Sequence, residues 1–519
     1  MNIKRIFLTA VIALFVLQSC DRGFEELNTD PTKTTEAYPH QFMANALMKT
    51  MEYNMLRNRN FTNELMQVTV AINDGDGRVF RYDFRRNWAD YLWNGHYTNL
   101  SNYKDMYIKA LEPVNFSQAY QAVSLICQSW TYSILTDTYG DVPYSESNLG
   151  RDSLILEPKF DLQRDIYVDM IAKLDSANTL LRTSPGSETI LATADPVFGG
   201  DKAKWRKFGN SLMLRLILRI AHKPEMAAYV DKLKDMLGAN ASLYPIMTSN
   251  DDSAILRWTG EGAYVSPLAS VRVQDFRGVS LASFFIDFLR DSNDPRIDIA
   301  LYNSLYGTSG SSNNRWGVAP IAGNYVGIPS GYAPNTGEYT RQSYFYAADH
   351  AAAVSLQREP LTGMMMNFAE VEFIKAELAL KGIISGDPKT YFYSGAENSI
   401  TLWMPGWTKP VQQHLADADI DWYDDETFEQ KMEKIHRQKY YALFLVDMQQ
   451  WFEYRRTGYP RLPKPEDYGV PNGLRNNGEM PARLYYPVYV QSSNPTNYRI
   501  AVEQQGPDEI NTKVWWQKP

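Results

Sequence analysis

Apolar residues recur at helical spacing along most of this chain. The clearest stripe is Val123, Ile126, Cys127, Trp130 and Ile134, which fall on one face of a 3.6-residue helix. It runs into Tyr139-Gly140-Asp141-Val142-Pro143-Tyr144, where Gly140 can take the left-handed conformation that ends a helix and Pro143 prevents its resumption. The pattern predicts a long buried helix turning a sharp, aromatic corner. Similar spacing predicts helices over 38–55, 61–72, 87–109, 161–181, 202–221, 368–381 and 426–455. In the segment 368–381, Ala369, Phe373, Ala376 and Leu380 share one face and Val371, Ile374 and Leu378 another, so neighbours should cover it on both sides. Gly382 caps it, and Asp387-Pro388 opens the next helix as N-cap and first residue. The segments form helix pairs within 87–222 and 365–456. The expected fold is mainly α, an α-α superhelix of tetratricopeptide-like helix pairs. Arg215 and Arg219, at i and i+4, read as a salt-bridged or solvated face rather than an anion site.

The pattern fails over 251–358, apart from roughly 280–289. Strings such as Gly307-Thr308-Ser309-Gly310 are rich in turn formers, yet Trp258, Tyr264, Trp316, Tyr325, Tyr332 and Tyr339 are interspersed. So aromatic a stretch predicts ordered, irregular loops, and such loops carry function. The tail beyond 487 reads as polar and turn-rich. Asn73-Asp74-Gly75-Asp76-Gly77 has the look of a calcium-loop turn, but without the spaced carbonyl and distal glutamate it reads as a plain turn.

The first residues read as an address. Lys4 and Arg5 precede the apolar run 6–17, too short to anchor in a bilayer but suited to a secretory signal. Leu17-Gln18-Ser19-Cys20 is a lipobox, with Cys20 as the thiol that takes a lipid. The expected layout is a signal peptide over 1–19, a polar tether over 20–37 and one domain over 38–519. Cys127 is then left alone, so no internal disulfide is expected. A net charge of −8 argues against a nucleic-acid binder. The six histidines are scattered, and no zinc, P-loop, dinucleotide or nucleophile-elbow motif occurs, so neither metal nor cofactor is expected. A glycosidase needs only two suitably spaced carboxylates, and nothing singles out a pair.

Several strings occur in order: the lipobox, LTDTYGDVPYSE from Leu135, KWRKFGNSLMLRLILRIA from Lys204, NDPRI from Asn293, AEVEFIKAELALKG from Ala369, QKYYALF from Gln438, WFEYRRTGYPRL from Trp451, RLYYP from Arg483 and VWW from Val514. Together they resemble the SusD/RagB family of nutrient-binding outer-membrane lipoproteins. The resemblance implies four tetratricopeptide-like helix pairs with an irregular region on one side. It also implies a role at the cell surface, held to the membrane through the lipid anchor, capturing glycans or peptides for a SusC-like TonB-dependent transporter. It carries over no ligand residues. Sugar rings stack their C–H faces on Trp and Tyr and offer hydroxyls to planar polar groups. The residue-level candidates for ligand contact are therefore Trp258, Tyr264, Trp316, Tyr325, Tyr332 and Tyr339, with Trp88 and Trp93 from the earlier helix. An oligosaccharide binder is the expected function. Peptide cargo, a glycoside hydrolase and a protein-binding scaffold are the alternatives.

Overall fold

The computed structural model describes residues 37–72, 77–308, 310–331, 340–350, 354–464 and 474–519. The signal segment, Cys20, the tether up to residue 36, Asn73 to Asp76 of the acidic turn, and Tyr332 and Tyr339 lie outside the described residues.

Helices of seven or more residues are α1 (Met43–Arg57), α2 (Trp88–Lys109), α3 (Gln118–Tyr139), α4 (Gln163–Thr183), α5 (Lys202–Ile220), α6 (Ala227–Leu237), α7 (Ser283–Asp291), α8 (Ile299–Tyr306), α9 (Phe368–Leu380), α10 (Pro388–Trp403), α11 (Val411–Asp417), α12 (Phe428–Ala442), α13 (Gln449–Thr457) and α14 (Pro495–Gln505). The strands are β1 (Thr69–Ala71), β2 (Val142–Pro143), β3 (Phe160–Asp161), β4 (Ala254–Leu256), β5 (Val279–Leu281), β6 (Val318–Ala319), β7 (Tyr344–Phe345) and β8 (Gly363–Met366). They make four antiparallel two-stranded ribbons: β1 with β5, β2 with β3, β4 with β8 and β6 with β7.

The expected helical fold is present. Each of α2 to α5 packs on the next, α5 touches α9, and α9 packs on α10 and α12. Ser117 starts α3 by accepting a hydrogen bond from the Tyr120 N–H, and Gly140 ends it at φ 86°. All of α3 from 119 to 139 is buried. A side chain at 140 would collide with Gln505, whose amide oxygen accepts from the Asp141 N–H at 2.7 Å and whose amide nitrogen donates to the Tyr139 carbonyl. On α9, Ala369, Val371, Phe373, Ile374, Ala376 and Leu378 are all buried, so both predicted faces are covered. Asp387 caps α10 ahead of Pro388 as expected.

Buried ion pairs join the layers. Arg215 on α5 donates twice to Glu370 on α9, both bonds at 2.6 Å. Arg219, one turn on, pairs with Asp137 on α3 and donates to Gln449 on α13 at 2.7 Å. Asp137 also accepts from the Tyr167 hydroxyl at 2.6 Å and from the Trp516 indole at 2.8 Å. The motifs of the corner, of α5 and of the C-terminal VWW thus meet at one carboxylate.

Several sequence expectations need correction. The helix predicted over 61–72 is a π-helical turn, Asn58–Thr62, then one α-turn and strand β1. β-branched Thr69 and Val70 pair with Leu281 and Ser280, and this pairing overrides the helical reading. The tract 426–455 is two helices. Between them Leu445 and Asp447 have positive φ, and Asp447 accepts from the Gln449 side chain at 2.9 Å. α6, α8, α11 and α14 were not predicted, and α14 lies in the supposedly turn-rich tail.

Candidate functional site

The irregular region holds an open cleft of about 680 Å³ between α8 and the end of α10. One wall is α8, whose sequence IALYNSLY is apolar although none of its residues is buried. Asp298 caps its start by accepting from the Leu301 N–H, and Gly307 at φ 67° ends it. Its loop is pinned because Asn303 accepts from the hydroxyls of Thr308 at 2.6 Å and Ser311 at 2.7 Å. Tyr302 and Tyr306, one turn apart, present rings 4.5 Å apart to the cleft, and Tyr306 is 44% exposed. An unburied apolar helix is costly in water unless it meets something.

Facing the tyrosines is a fixed planar pair. Arg315 donates to both carboxylate oxygens of Glu359, at 2.5 and 2.8 Å, and to the Trp403 carbonyl at 2.8 Å. Burial works against the Arg315 cation, but the Glu359 bonds outweigh it and raise its pKa. Burial also raises the Tyr302 phenol, with Arg315 opposing. Arg257 and Asp251 line the rim and are exposed. Asn250 donates to the Asn398 carbonyl and to the Thr401 hydroxyl, which leaves its own buried amide oxygen without a partner. The cleft therefore offers two aromatic faces and the exposed Arg257 guanidinium beside the Arg315–Glu359 pair. On the far side of α8 a second depression of about 340 Å³ is lined by Leu301, Leu305 and Trp407.

The predicted contact residues fall elsewhere. Trp316 is fully buried, stacked on Phe285 at 5.9 Å and covered by the Arg296 guanidinium at 4.6 Å. Trp258 is buried with its indole N–H toward the Met55 sulfur, and Trp93 is wedged in the core against Tyr139 and Tyr486. These three candidates for ligand contact thus lie within the hydrophobic core. Tyr325 is half-buried, its hydroxyl donating to the Ile297 carbonyl at 2.6 Å. Tyr264 is half-buried in a turn closed by the Gly260 N–H. Trp88, half-buried at the start of α2, stacks with the Arg57 guanidinium at 4.6 Å and not with the cleft. Sequence reasoning missed Tyr302, Tyr306, Arg257 and Arg315. The signal was there: an apolar octet, IALYNSLY, inside a polar loop region.

Two other features are already satisfied. A wider groove, about 1030 Å³ between α2, α3 and α4, has its lysines engaged: Lys104 donates to Ser147 and Lys173 pairs with Asp169 at 2.9 Å. Glu377, His436 and Glu453 bring ligand-type atoms within 4.8 Å of one another. There, against the cost of burial, Arg456 holds Glu377 well below the usual carboxylate range, and Lys439 pairs with Glu453 at 2.8 Å. Burial pushes His436 down to about 3.

Residues 31–487 match the SusD-like family described as "Starch-binding associating with outer membrane". No curated protein matches. Among solved structures, the chain is similar to a SusD homologue from Bacteroides uniformis, at 24% identity and a TM-score of 0.74 over 93% of this chain and 100% of that one. It is similar to a chitin-binding SusD homologue from Flavobacterium johnsoniae, at 21% identity and a TM-score of 0.74 over 92% and 98%. A third similar structure is a chitin-binding protein, at 24% identity and a TM-score of 0.72 over 92% and 99%. At these identities the likeness is one of fold.

Proposed function

The chain belongs to the SusD-like family, and from that membership we propose that it captures an oligosaccharide at the cell surface and hands it to a SusC-like TonB-dependent transporter. The observation that carries the reading is α8: an apolar helix left unburied, with Tyr302 and Tyr306 facing the Arg315–Glu359 pair across an open cleft. Pyranose rings would stack on the tyrosines while their hydroxyls meet Arg257 and the Arg315–Glu359 pair. Two of the similar structures carry chitin-binding names, which supports a glycan as cargo. Glu359 is bonded twice to Arg315, so it is a poor general acid, and binding fits the cleft better than hydrolysis. No helix among the described residues is long and apolar enough to cross a membrane. In this reading Cys20 carries the lipid that holds the chain at the outer membrane.

The test is calorimetric titration of the full chain with chito-, malto- and galacto-oligosaccharides. One class should bind, and Tyr306→Ala should weaken it about tenfold, a loss of about 1.4 kcal/mol, with the melting temperature unchanged. Release of new reducing ends would support the hydrolase instead. Equal binding by wild type and Tyr306→Ala would remove the cleft from the account.

A further inference from the structure

The depression of about 340 Å³ beside α8 has three walls. Leu301 and Leu305 of α8 form one, Asn293 and Pro295 of the preceding turn another, and Trp407, Lys409 and His414 the third. Its volume falls in the range of small-ligand sites. The depression continues the cleft along two of its walls. Leu301 and Leu305 line the depression while their neighbours Tyr302 and Tyr306 line the cleft. Likewise Gly406 lines the depression and Pro405 the cleft. The two hollows therefore meet where the end of α8 approaches residues 405 and 406. Leu305, Tyr306, Pro405 and Gly406 are all exposed along that seam. A side chain at 406 would stand against Leu305, its Cβ at 3.4 Å, and glycine keeps the seam low.

The chemistry of the depression suits a neutral guest with an apolar face. His414 is 5% exposed and lies edge-on to Trp407 at 5.5 Å. No described residue hydrogen-bonds its imidazole. His96 and His436 also lack partners, but their ring nitrogens are sealed from solvent, whereas His414 lines an open hollow. Burial holds the His414 imidazole below its ordinary range, against the pull of Asp294. At neutral pH it therefore presents one donor and one acceptor, which a single sugar hydroxyl can match. The charges on the walls are already engaged. Lys409 pairs with Asp417 at 2.7 Å, and Asp298 caps the start of α8 through the Leu301 N–H. The wall before α8 is rigid, because Arg296 donates to both Asp294 carboxylate oxygens, at 2.8 and 2.6 Å.

We propose that this depression is a second sugar subsite, so that one oligosaccharide crosses the exposed end of α8 with rings in the cleft and a further ring against Trp407 and His414. The inference rests on the oligosaccharide reading above and adds to it the length of the cargo. Leu301, Leu305 and Trp407 meet the C–H faces of the ring, and His414 meets a hydroxyl. Once the cleft holds one part of a chain, the other part reaches the depression at a high effective concentration. A disaccharide held in the cleft gains nothing from it.

The disaccharide and the hexasaccharide of the chito-, malto- and galacto- series are titrated into the full chain by calorimetry, with tetraalanine as a peptide arm. In the series that binds, the hexasaccharide should bind at least about tenfold more tightly than the disaccharide. Trp407→Ala should remove that gain while the disaccharide still binds. Leu305→Asp, at an exposed position, should do the same without touching the core. Tyr306→Ala should weaken both lengths. Equal affinity for both lengths, a gain that survives both depression variants, or tetraalanine binding that Trp407→Ala abolishes would overturn the proposal. Failure of the cleft reading alone would show as Tyr306→Ala being silent while the depression variants still weaken the hexasaccharide. Failure of the second subsite alone would show as silent depression variants while Tyr306→Ala weakens every length. No binding in any series would overturn both.

Discussion

The stacked helices and the irregular region use the same residue types to opposite ends. In α3, α5, α9 and α13, arginine and acid face inward: Arg215 meets Glu370, and Arg219 meets Asp137. At two places in the irregular region an arginine lines the cleft and the tryptophan after it goes in. Arg257 lines the cleft while Trp258 is core, and Arg315 lines it while Trp316 is core. Arg257 and Trp258 follow strand β4, where successive residues of an extended chain point to opposite sides, and Arg315 and Trp316 are the central residues of a turn closed by the Gly317 N–H on the Asn314 carbonyl. Chemistry in this molecule is set by which side of the chain a residue takes, not by its type.

That contrast breaks down if the helical stack tolerates loss of its charges. Asp137→Ala strands Arg219 and removes the partner of Tyr167 and Trp516. It should cost about 3–5 kcal/mol in chemical denaturation, and a loss under 1 kcal/mol would show that the ion pairs do not hold the stack. A smaller effect comes from acid. His96 on α2 and His436 on α12 are buried, and burial pushes both down to about 3 from 6.5. Both stay neutral when folded and take up protons when unfolded, so stability is full above 6.5 and falls as pH drops toward 3. Between pH 6.5 and 5.5 the two together should cost about 2 kcal/mol, read from denaturant midpoints, and His96→Gln should remove about half of it. The smallest effect sharpens the other side. Arg257→Ala, at an exposed rim, should change stability by less than about 0.5 kcal/mol yet weaken the cleft's sugar several-fold in calorimetry.

The same contrast explains what the sequence made legible. Helical spacing located α3, α4, α5 and α9 to within a residue or two, because long amphipathic or fully apolar stripes have one good solution. The strings that carried the family resemblance meet in the fold: Asp137 binds Arg219 and the Trp516 indole, and Gln163 accepts from the Trp516 N–H and donates its own N–H to the Asp141 carboxylate. The residues that line the cleft were not legible. Telling Arg315 from Trp316 needs the facing of a turn, which tertiary packing decides. Tyr302 and Tyr306 were overlooked because α8 was taken for loop, its neighbours Gly307 and Ser309 outweighing six apolar or aromatic positions. The π-turn has no sequence signature separate from a helix end.

The Asp137 hub also sets an order of assembly. Its indole donor comes from Trp516, 379 positions along the chain, and the corner at Gly140 is closed by Gln505, 364 positions from Asp141. The early helices therefore leave synthesis with their central carboxylate incompletely satisfied and a corner open. Contacts over such separations form late and slowly. The end of α3 therefore closes only when the C-terminal residues Gln505 and Trp516 reach it.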